Sequence, residues 1–170
     1  VRPGERVAIV VNDITRATPS PLIVQAILAE LPGVPPQDIT IFNALGTPRP
    51  NTESELRSLL GDVFFTQHRI VQNNAFDPST QVCVGKTGSG NEIWLNRELM
   101  ECPLKILTGF IEPHFFAGFS GGGKALMPGM AGQASVLRNH CSTNIADPRA
   151  TYGRTQGNPI YDEVLEAARL

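Results

Sequence analysis

The apolar run Arg6-Val-Ala-Ile-Val-Val11 predicts a strand at the centre of a parallel β-sheet. A short, uninterrupted apolar segment is typical of a strand that is buried on both faces, in a sheet covered on each side. Polar residues follow it at once, in the order Asn12-Asp13-Ile-Thr-Arg16. In open α/β sheets, ligands bind beyond the carboxyl ends of the strands. The segment therefore predicts both part of the core and one wall of a binding cleft.

Helices and strands alternate outward from this segment. Pro21–Leu31 has the pattern of a helix, with Ser20 as its N-cap and proline in the first turn. Thr52-Glu-Ser-Glu55 has capping-box spacing and begins a helix that ends at Gly61. The remaining predicted elements are strands at 38–44, 69–73, 81–86, 92–95 and 104–107 and helices at 133–140 and 160–170. This order predicts an α/β layered domain with a largely parallel, partly mixed sheet flanked by helices, the antiparallel part being a hairpin that turns at 85–91.

Charge and composition exclude several kinds of partner. The 170 residues carry a net charge of −2 with both signs mixed along the chain, unlike a nucleic-acid-binding or membrane-surface protein. No apolar run reaches the about 18 to 20 residues that a membrane span needs, and no signal peptide is visible. The three cysteines form no CxxC pair and no even set, as expected in a reducing compartment. We therefore expect a cytoplasmic protein that binds neither nucleic acid nor a membrane.

A glycine-rich loop between residues 109 and 129 holds most of the chemically reactive side chains. It reads Gly-Phe-Ile-Glu-Pro-His114-Phe-Phe-Ala-Gly-Phe-Ser-Gly-Gly-Gly-Lys124-Ala-Leu-Met-Pro-Gly, and His140 follows sixteen residues after the lysine. Like the segments after the first two strands, this loop follows the end of a predicted strand. If the three strands are neighbours, charged and imidazole side chains meet in one cleft: Asp13, Arg16, Arg49, His114 and Lys124. Each of them also has a plain structural explanation, as a turn former or surface cation, but three such loops together favour a ligand site.

The same loop satisfies the phosphate-binding pattern G-x-x-x-x-G-K from Gly118 to Lys124. A P-loop also needs Ser or Thr after the lysine to bind Mg²⁺, and Ala125 stands there. It needs a strand directly before the loop and a helix after it, whereas His114 and two phenylalanines precede the loop and Pro128 interrupts any helix after it. A P-loop NTPase is therefore not expected.

Five segments of the chain together resemble the nickel-pincer-nucleotide-dependent lactate racemase family. In the order and spacing of the family they are 13–19, 46–56, 109–124, 128–129 and 139–140. A histidine, a lysine ten residues later and a second histidine sixteen residues beyond form a far more specific pattern than a glycine motif alone. Members of the family are longer, two-domain proteins. The resemblance thus implies that residues 1–170 are the N-terminal, cofactor-bearing domain and that a C-terminal domain is absent from this chain.

The resemblance also implies a role for each functional side chain. Lys124 would form a thioamide with a pyridinium dithiocarboxylate mononucleotide that holds nickel, and His140 would supply the remaining nickel ligand. His114 would be a general acid and base for the substrate hydroxyl. Asp13 and Arg16 would line the active site, with Arg16 pairing with the substrate carboxylate. The further residues at the cofactor would be Gly121, Gly122, Gly123 and Pro128. Nickel suits sulfur and imidazole donors, and an imidazole can take and give a proton near neutral pH.

The activity so implied is racemisation or epimerisation of a 2-hydroxy acid by removal and return of a hydride, once cofactor-maturation enzymes have loaded the nickel-pincer nucleotide. The isolated domain is expected to lack this cofactor. Racemases of the family carry a second catalytic histidine in a loop G-x-H-R-P, but this chain has Pro48 at that position. Proline transfers no proton, so a substrate other than lactate is expected; the alternative is a non-catalytic or carrier homologue that keeps the cofactor lysine. Of the remaining candidates, His68 is expected at the surface and Cys141 as a small apolar filler.

Overall fold

A four-stranded parallel sheet forms the centre of the computed structural model, which describes residues 1–2 and 4–170. The strands in the described part of the chain are β1 Val7–Asn12, β2 Ile39–Ala44, β3 Arg69–Gln72, β4 Gln81–Lys86, β5 Glu92–Asn96, β6 Leu104–Leu107, β7 Pro113–His114 and β8 Gly118–Phe119. The parallel sheet has the order β3-β2-β1-β6. The antiparallel pairs β4–β5 and β7–β8 are separate two-stranded sheets. The predicted fold class is confirmed, with the hairpin standing as a sheet of its own.

Helices and short turns connect and cover these strands. The α-helices of the described residues are α1 Ser20–Ala29, α2 Glu53–Leu60, α3 Asp62–Gln67, α4 Arg97–Met100, α5 Gln133–Asn139, α6 Ser142–Ile145 and α7 Pro159–Ala167, with 3₁₀ turns at Pro36–Asp38, Pro78–Thr80 and Gly122–Ala125. The predicted capping box is present, because the Thr52 hydroxyl accepts from Glu55 N at 3.2 Å and the Glu55 carboxylate accepts from Thr52 N at 2.7 Å. Each helix in the described ranges is too short or too polar to cross a lipid bilayer.

The two faces of β1 pack against different parts of the chain, as its continuous apolar sequence predicted. The side chains of Val7, Ile9 and Val11 are fully buried against α1 and α2. The two residues between them are fully buried on the other face, against Leu126 and Met130. Burying an aliphatic side chain of this size stabilises the fold by about 1.5 to 3 kcal/mol. The end of the glycine-rich loop is therefore part of the core, which holds the turn carrying the candidate lysine against the sheet.

Three local predictions need correction. Ser20 is not an N-cap, because α1 already includes it and its hydroxyl donates to the carbonyl of Thr18 at 3.5 Å. His68 is not a surface residue: it is only 9% exposed and lies beside Phe64, with 6.4 Å between the ring centroids. The helix α3 was not predicted. It begins directly after Gly61. The φ of +80° at this glycine ends α2 and separates it from α3.

Candidate active site

Three strand-end loops meet at one edge of the parallel sheet. The strands β2, β1 and β6 are adjacent and parallel, so their carboxyl ends face the same side. A cleft of about 140 Å³ lies there, and its lining includes Asp13, Arg16, Gly46, Pro48, Lys124 and Pro128. A larger, more open depression of about 670 Å³ follows the loop from Arg149 to Gly157, but none of the strand-end side chains lines it. We take the smaller cleft as the candidate site because Asp13, Arg16 and Lys124 converge on it, whereas His114 and His140 are not among its lining residues.

A close backbone contact brings the lysine turn to this cleft. Gly46 N, after β2, donates to the carbonyl of Gly129 at 2.8 Å. A Cβ at Gly129 would lie 2.4 Å from the carbonyl oxygen of Ala125 and 2.8 Å from the Cβ of Ala44. Only glycine fits this position, and its contact with the end of β2 fixes the segment that follows Lys124.

An ion pair joins the loop after β1 to the loop after β6. Arg16 Nη1 lies 2.8 Å from Glu112 Oε1, and both side chains are more than one third exposed. An exposed pair of this kind contributes only about 0 to 1 kcal/mol, so Arg16 is free to take another anion. Asp13, in the same loop, is 8% exposed. Both its carboxylate oxygens accept from Thr15 Oγ1 at 2.9 Å. Sequence reasoning missed Glu112 and Thr15, although Glu112 lies two residues before His114 in the same glycine-rich loop.

Lys124 is an unusual lysine. It lies half-buried on the 3₁₀ turn Gly122–Ala125 and lines the cleft. Burial, and next the positive charge of Arg16, lower its pKa to about 8, while the negative charge of Glu112 acts in the opposite direction. A desolvated amine next to another cation is the arrangement that activates a lysine as a nucleophile. The site therefore supplies an amine that is partly neutral close to physiological pH.

The two imidazoles both contact the ring of one phenylalanine. The ring centroid of Phe116 is 4.6 Å from that of His114 and 5.0 Å from that of His140, with an edge-on geometry in both pairs. His114 Nδ1 accepts from the backbone N–H groups of Phe116 at 3.5 Å and Ala117 at 3.3 Å. In the neutral ring the proton is therefore at Nε2. Burial, and next the charge of Lys124, lower the pKa of both histidines to about 4, so both are neutral at pH 7.

His140 has the features of a metal ligand. It follows the last turn of α5, where its backbone N–H donates to Val136 O at 2.9 Å. Its Nε2 atom is buried without a hydrogen-bond partner among the described residues. A neutral imidazole nitrogen that has no hydrogen-bond partner in the protein is able to bind a metal ion. Within residues 1–2 and 4–170, no group of three or more His, Cys, Asp or Glu side chains surrounds a common point. A metal at His140 would take its other donors from a bound group, and this fits the cofactor that the resemblance implies.

Several candidate residues serve the fold or lie elsewhere. Arg49 does not join the cleft: it turns to Glu55, with Nη–Oε distances of 2.8 and 2.7 Å, and donates to its neighbour's carbonyl. His68 precedes β3 and so lies at the opposite edge of the sheet. Cys141 is a free, partly exposed thiol. The P-loop pattern forms a two-residue strand and a 3₁₀ turn, which is not the strand–loop–helix of a nucleotide site.

The three consecutive glycines before Lys124 face different surroundings. Gly121 lines the cleft, and a Cβ there would lie 2.9 Å from Cγ1 of Ile111. Gly123 instead faces α7, where its Cβ would be 3.1 Å from Cγ1 of Val164. Gly122 has open space and a φ of +54°. Packing and backbone conformation thus already account for the three glycines. Of the three, Gly121 is the one that lines the cleft.

Comparison with known proteins identifies the family. The family model described as the lactate racemase N-terminal domain matches residues 1–153. The chain is 37% identical over 169 residues to the lactate racemase of Lactiplantibacillus plantarum, covering 99% of this chain and 40% of that protein. It is 32% identical over 166 residues to the lactate racemase of Thermoanaerobacterium thermosaccharolyticum, covering 97% of this chain and 39% of that protein. The chain thus spans about two fifths of the length of these relatives.

Solved structures agree with this placement. The lactate racemase apoprotein from Thermoanaerobacterium thermosaccharolyticum superposes with a TM-score of 0.91 at 32% identity, over 98% of this chain and 40% of that chain. A protein from Thermotoga maritima shares the fold, with a TM-score of 0.80 at 24% identity over 97% of this chain and 43% of that one. The family model covers most of the sequence, including every side chain of the candidate site. The chain therefore belongs to the lactate racemase N-terminal domain family.

Proposed function

We propose that this domain is the cofactor-bearing part of a 2-hydroxy-acid racemase or epimerase that uses a nickel-pincer nucleotide. The observation that carries the proposal is that a nucleophilic lysine lies near an imidazole nitrogen without a hydrogen-bond partner. Lys124 has a pKa lowered to about 8, and the Nε2 atom of the nearby His140 has no hydrogen-bond partner among the described residues. The first group suits covalent attachment of the cofactor and the second suits coordination of its metal. When bound, the cofactor supplies an acceptor that takes a hydride from the substrate α-carbon and returns it.

Arg16 is the residue that we propose to bind the substrate carboxylate. A guanidinium has five N–H donors, and Glu112 occupies only Nη1. The remaining donors allow Arg16 to hold a second carboxylate without losing its first partner. A 2-hydroxy acid fits because it combines a carboxylate with a hydroxyl on the adjacent carbon.

His114 is the residue that we propose to move the hydroxyl proton, at its Nε2 atom. In the neutral ring, Nε2 carries the proton and can donate to a substrate oxygen. To accept the hydroxyl proton instead, the ring must give up its two Nδ1 contacts, which are weak at 3.3 and 3.5 Å. Its low pKa depends partly on the charges of Lys124 and Arg16. Amide-type bonding of Lys124 removes one of these charges and a bound carboxylate offsets the other, so both of these contributions to the lowered pKa of His114 fall when the site is filled, while burial, the largest cause, remains.

The substrate that we propose is not lactate. Pro48 lines the cleft at the position where the family pattern has a second histidine. The only other histidine of the chain, His68, lies at the opposite edge of the sheet. We propose that maturation enzymes load the cofactor, and that Pro48 leaves the second face of lactate without the imidazole that would move a proton there. The alternative is a carrier homologue that keeps Lys124 and catalyses no racemisation; the presence of Pro48 is the observation that favours it.

Peptide mapping tests the attachment site. In full-length protein produced together with the cofactor-maturation enzymes, we expect a mass increment of one mononucleotide on the peptide that contains Lys124. The exposed Lys86 is the internal control and should stay unmodified. An adduct on Lys86, or none on Lys124 in protein that retains nickel, would show that the cofactor is held in another way.

The role of Pro48 is tested by its replacement with histidine. General acid–base assistance is worth about 10² to 10⁴ in rate, so the mature wild-type protein should racemise lactate slowly and Pro48→His should be faster. The measurement is loss of stereochemistry from lactate labelled with deuterium at the α-carbon. His114→Ala should abolish hydride transfer in both backgrounds. Rapid racemisation of lactate by the wild type would disprove the proposed change of substrate, and absence of turnover with any 2-hydroxy acid would favour the carrier role.

A further inference from the structure

A buried carboxylate lies behind the candidate metal ligand. Glu163 of α7 is 5% exposed and forms no salt bridge among the described residues. Neutral donors surround it instead. Its Oε1 accepts from Ser89 Oγ and, at 3.1 Å, from Thr87 Oγ1, while its Oε2 accepts from Asn91 Nδ2 at 3.1 Å and from Asn139 Nδ2 at 2.7 Å. A buried charge is costly unless hydrogen bonds compensate for it, and here four of them converge.

A carboxylate is unexpected at this position of the helix α7. On α7, the residues Ile160, Val164 and Ala167 form the buried apolar face. Glu163 lies three residues after the first of them and therefore on the same face. An apolar residue at this position would need no charge compensation, but it would leave the four surrounding donors without their acceptor. A carboxylate that the helix pattern does not require calls for a role beyond packing.

The bond from Asn139 links Glu163 to the candidate metal ligand. Asn139 is the last residue of α5 and directly precedes His140. Its side-chain amide donates to Glu163, and its backbone carbonyl accepts from Asn144 Nδ2 at 2.9 Å. The residue before His140 is thus held by hydrogen bonds at both its side chain and its backbone carbonyl. The carboxylate also acts on His140 through space, since its negative charge favours positive charge at the imidazole.

We propose that Glu163 is a positioning residue for His140, acting through Asn139 to hold the imidazole at which the metal of the cofactor binds. The proposal rests on the proposed function of His140 as a metal ligand. In metal sites, removing a group that orients a metal ligand typically lowers the metal affinity by about 10- to 100-fold. The hydrogen bond to Asn139 serves this purpose here, while the other three bonds anchor the carboxylate to the hairpin turn between β4 and β5.

The test measures nickel release from mature, full-length holoprotein into a chelator, followed by the visible absorption of the nickel chromophore. Glu163→Met removes the acceptor, and we expect nickel to leave at least about 10-fold faster. Glu163→Gln keeps an oxygen for Asn139 without the charge and should largely restore retention. The matched control is Glu166→Met: this exposed glutamate of α7 accepts from Gly88 N at 2.8 Å, in the same hairpin turn, but has no bond to Asn139. Its release rate should equal that of the wild type.

A second variant covers the case in which Glu163→Met fails to fold, as judged from its thermal midpoint. Asn139→Ala breaks the same link, together with the longer bond from Asn139 Nδ2 to Ile160 O at 3.3 Å, and leaves the other three bonds of Glu163 intact, so it should also release nickel about 10-fold faster. Wild-type release rates in Asn139→Ala or Glu163→Met, or no recovery in Glu163→Gln, would overturn the positioning role. His140→Ala separates the metal-ligand proposal from the positioning proposal. If this variant keeps stoichiometric nickel, the proposed metal ligand is wrong and the role of Glu163 falls with it; if it loses nickel, the outcome of the other variants decides on Glu163 alone.

Discussion

The lowered pKa of Lys124 predicts a reactive amine whose behaviour can be measured before any cofactor is bound. At pH 7, an amine with a pKa of about 8 is roughly 10% neutral, whereas one with the ordinary value of 10.5 is roughly 0.03% neutral. The neutral form is the nucleophile, so Lys124 has about 300-fold more reactive amine at pH 7 than an ordinary lysine. Burial slows access of any reagent, but it slows access equally at each pH. The pH midpoint of the reaction, and not its absolute rate, therefore reports the pKa.

The assay is trace labelling of full-length apoprotein with acetic anhydride between pH 6 and pH 11, with the label on each lysine peptide quantified by mass spectrometry. We expect the labelling of Lys124 to reach half its maximum near pH 8, while the exposed Lys86 supplies the reference curve from the same sample. Arg16→Gln should move the midpoint of Lys124 upward. The substitution removes a neighbouring cation, and it also frees Glu112, whose charge raises the pKa of the lysine.

The midpoint in Arg16→Gln should still lie below 10.5, because burial is the largest cause of the lowered pKa and remains in the variant. Arg57→Gln is the control, since Arg57 forms its ion pairs with Glu53 and Asp62 on the helices α2 and α3, outside the cleft. A wild-type curve for Lys124 that coincides with that of an ordinary lysine would refute the reasoning. So would a midpoint that Arg16→Gln leaves unchanged, because the electrostatic part of the explanation would then be wrong.

Two further predictions concern stability. His114 and His140 have folded-state pKa values of about 4 against an ordinary 6.5, so between these values the unfolded chain binds protons that the folded chain does not, and stability is lost as pH falls from about 6.5 to about 4. The thermal midpoint of the apoprotein should fall over this range, and His140→Gln should make the fall shallower; a slope identical to that of the wild type would contradict the assignment. Gly118→Ala should destabilise the fold by at least about 2 kcal/mol more than Gly90→Ala in urea unfolding. Both glycines have positive φ, +74° and +83°, but only at Gly118 would a Cβ meet a backbone carbonyl oxygen, at 2.2 Å. Equal losses in the two variants would mean that the backbone relaxes around the clash.

Much of the fold follows from signals that are local in the sequence. The continuous apolar run of β1 indicated burial on both faces, and the structure shows it. The capping box that begins at Thr52 placed the start of α2 correctly. These features depend on residues within one or two turns of each other, so the sequence contains them directly. The rule that ligands bind at the carboxyl ends of parallel strands then located the cleft and brought Asp13, Arg16 and Lys124 to it.

Local patterns failed where a side chain had a choice of partners. Arg49 follows a strand that does lead to the cleft, yet its guanidinium turns to Glu55, six residues away. His68 directly precedes a strand at the remote edge of the sheet, where a polar residue is expected to be exposed, but it lies beside Phe64 of α3 and is only 9% exposed. Ser20 lies one residue inside the helix that it was expected to cap. In each case a neighbour that the spacing did not reveal decided the outcome.

The sequence alone determined the family and the strands of the parallel sheet, and it named the candidate reactive side chains. The tertiary structure alone decided which of these groups act on one another. It pairs Arg16 with Glu112 across 96 positions, places Phe116 against both imidazoles and brings Glu163 to Asn139. The physical reason is that a strand or a cap arises from short-range interactions, whereas the pKa of an amine or an imidazole depends on burial and charges contributed by distant segments. Those contributions exist only once the chain has packed.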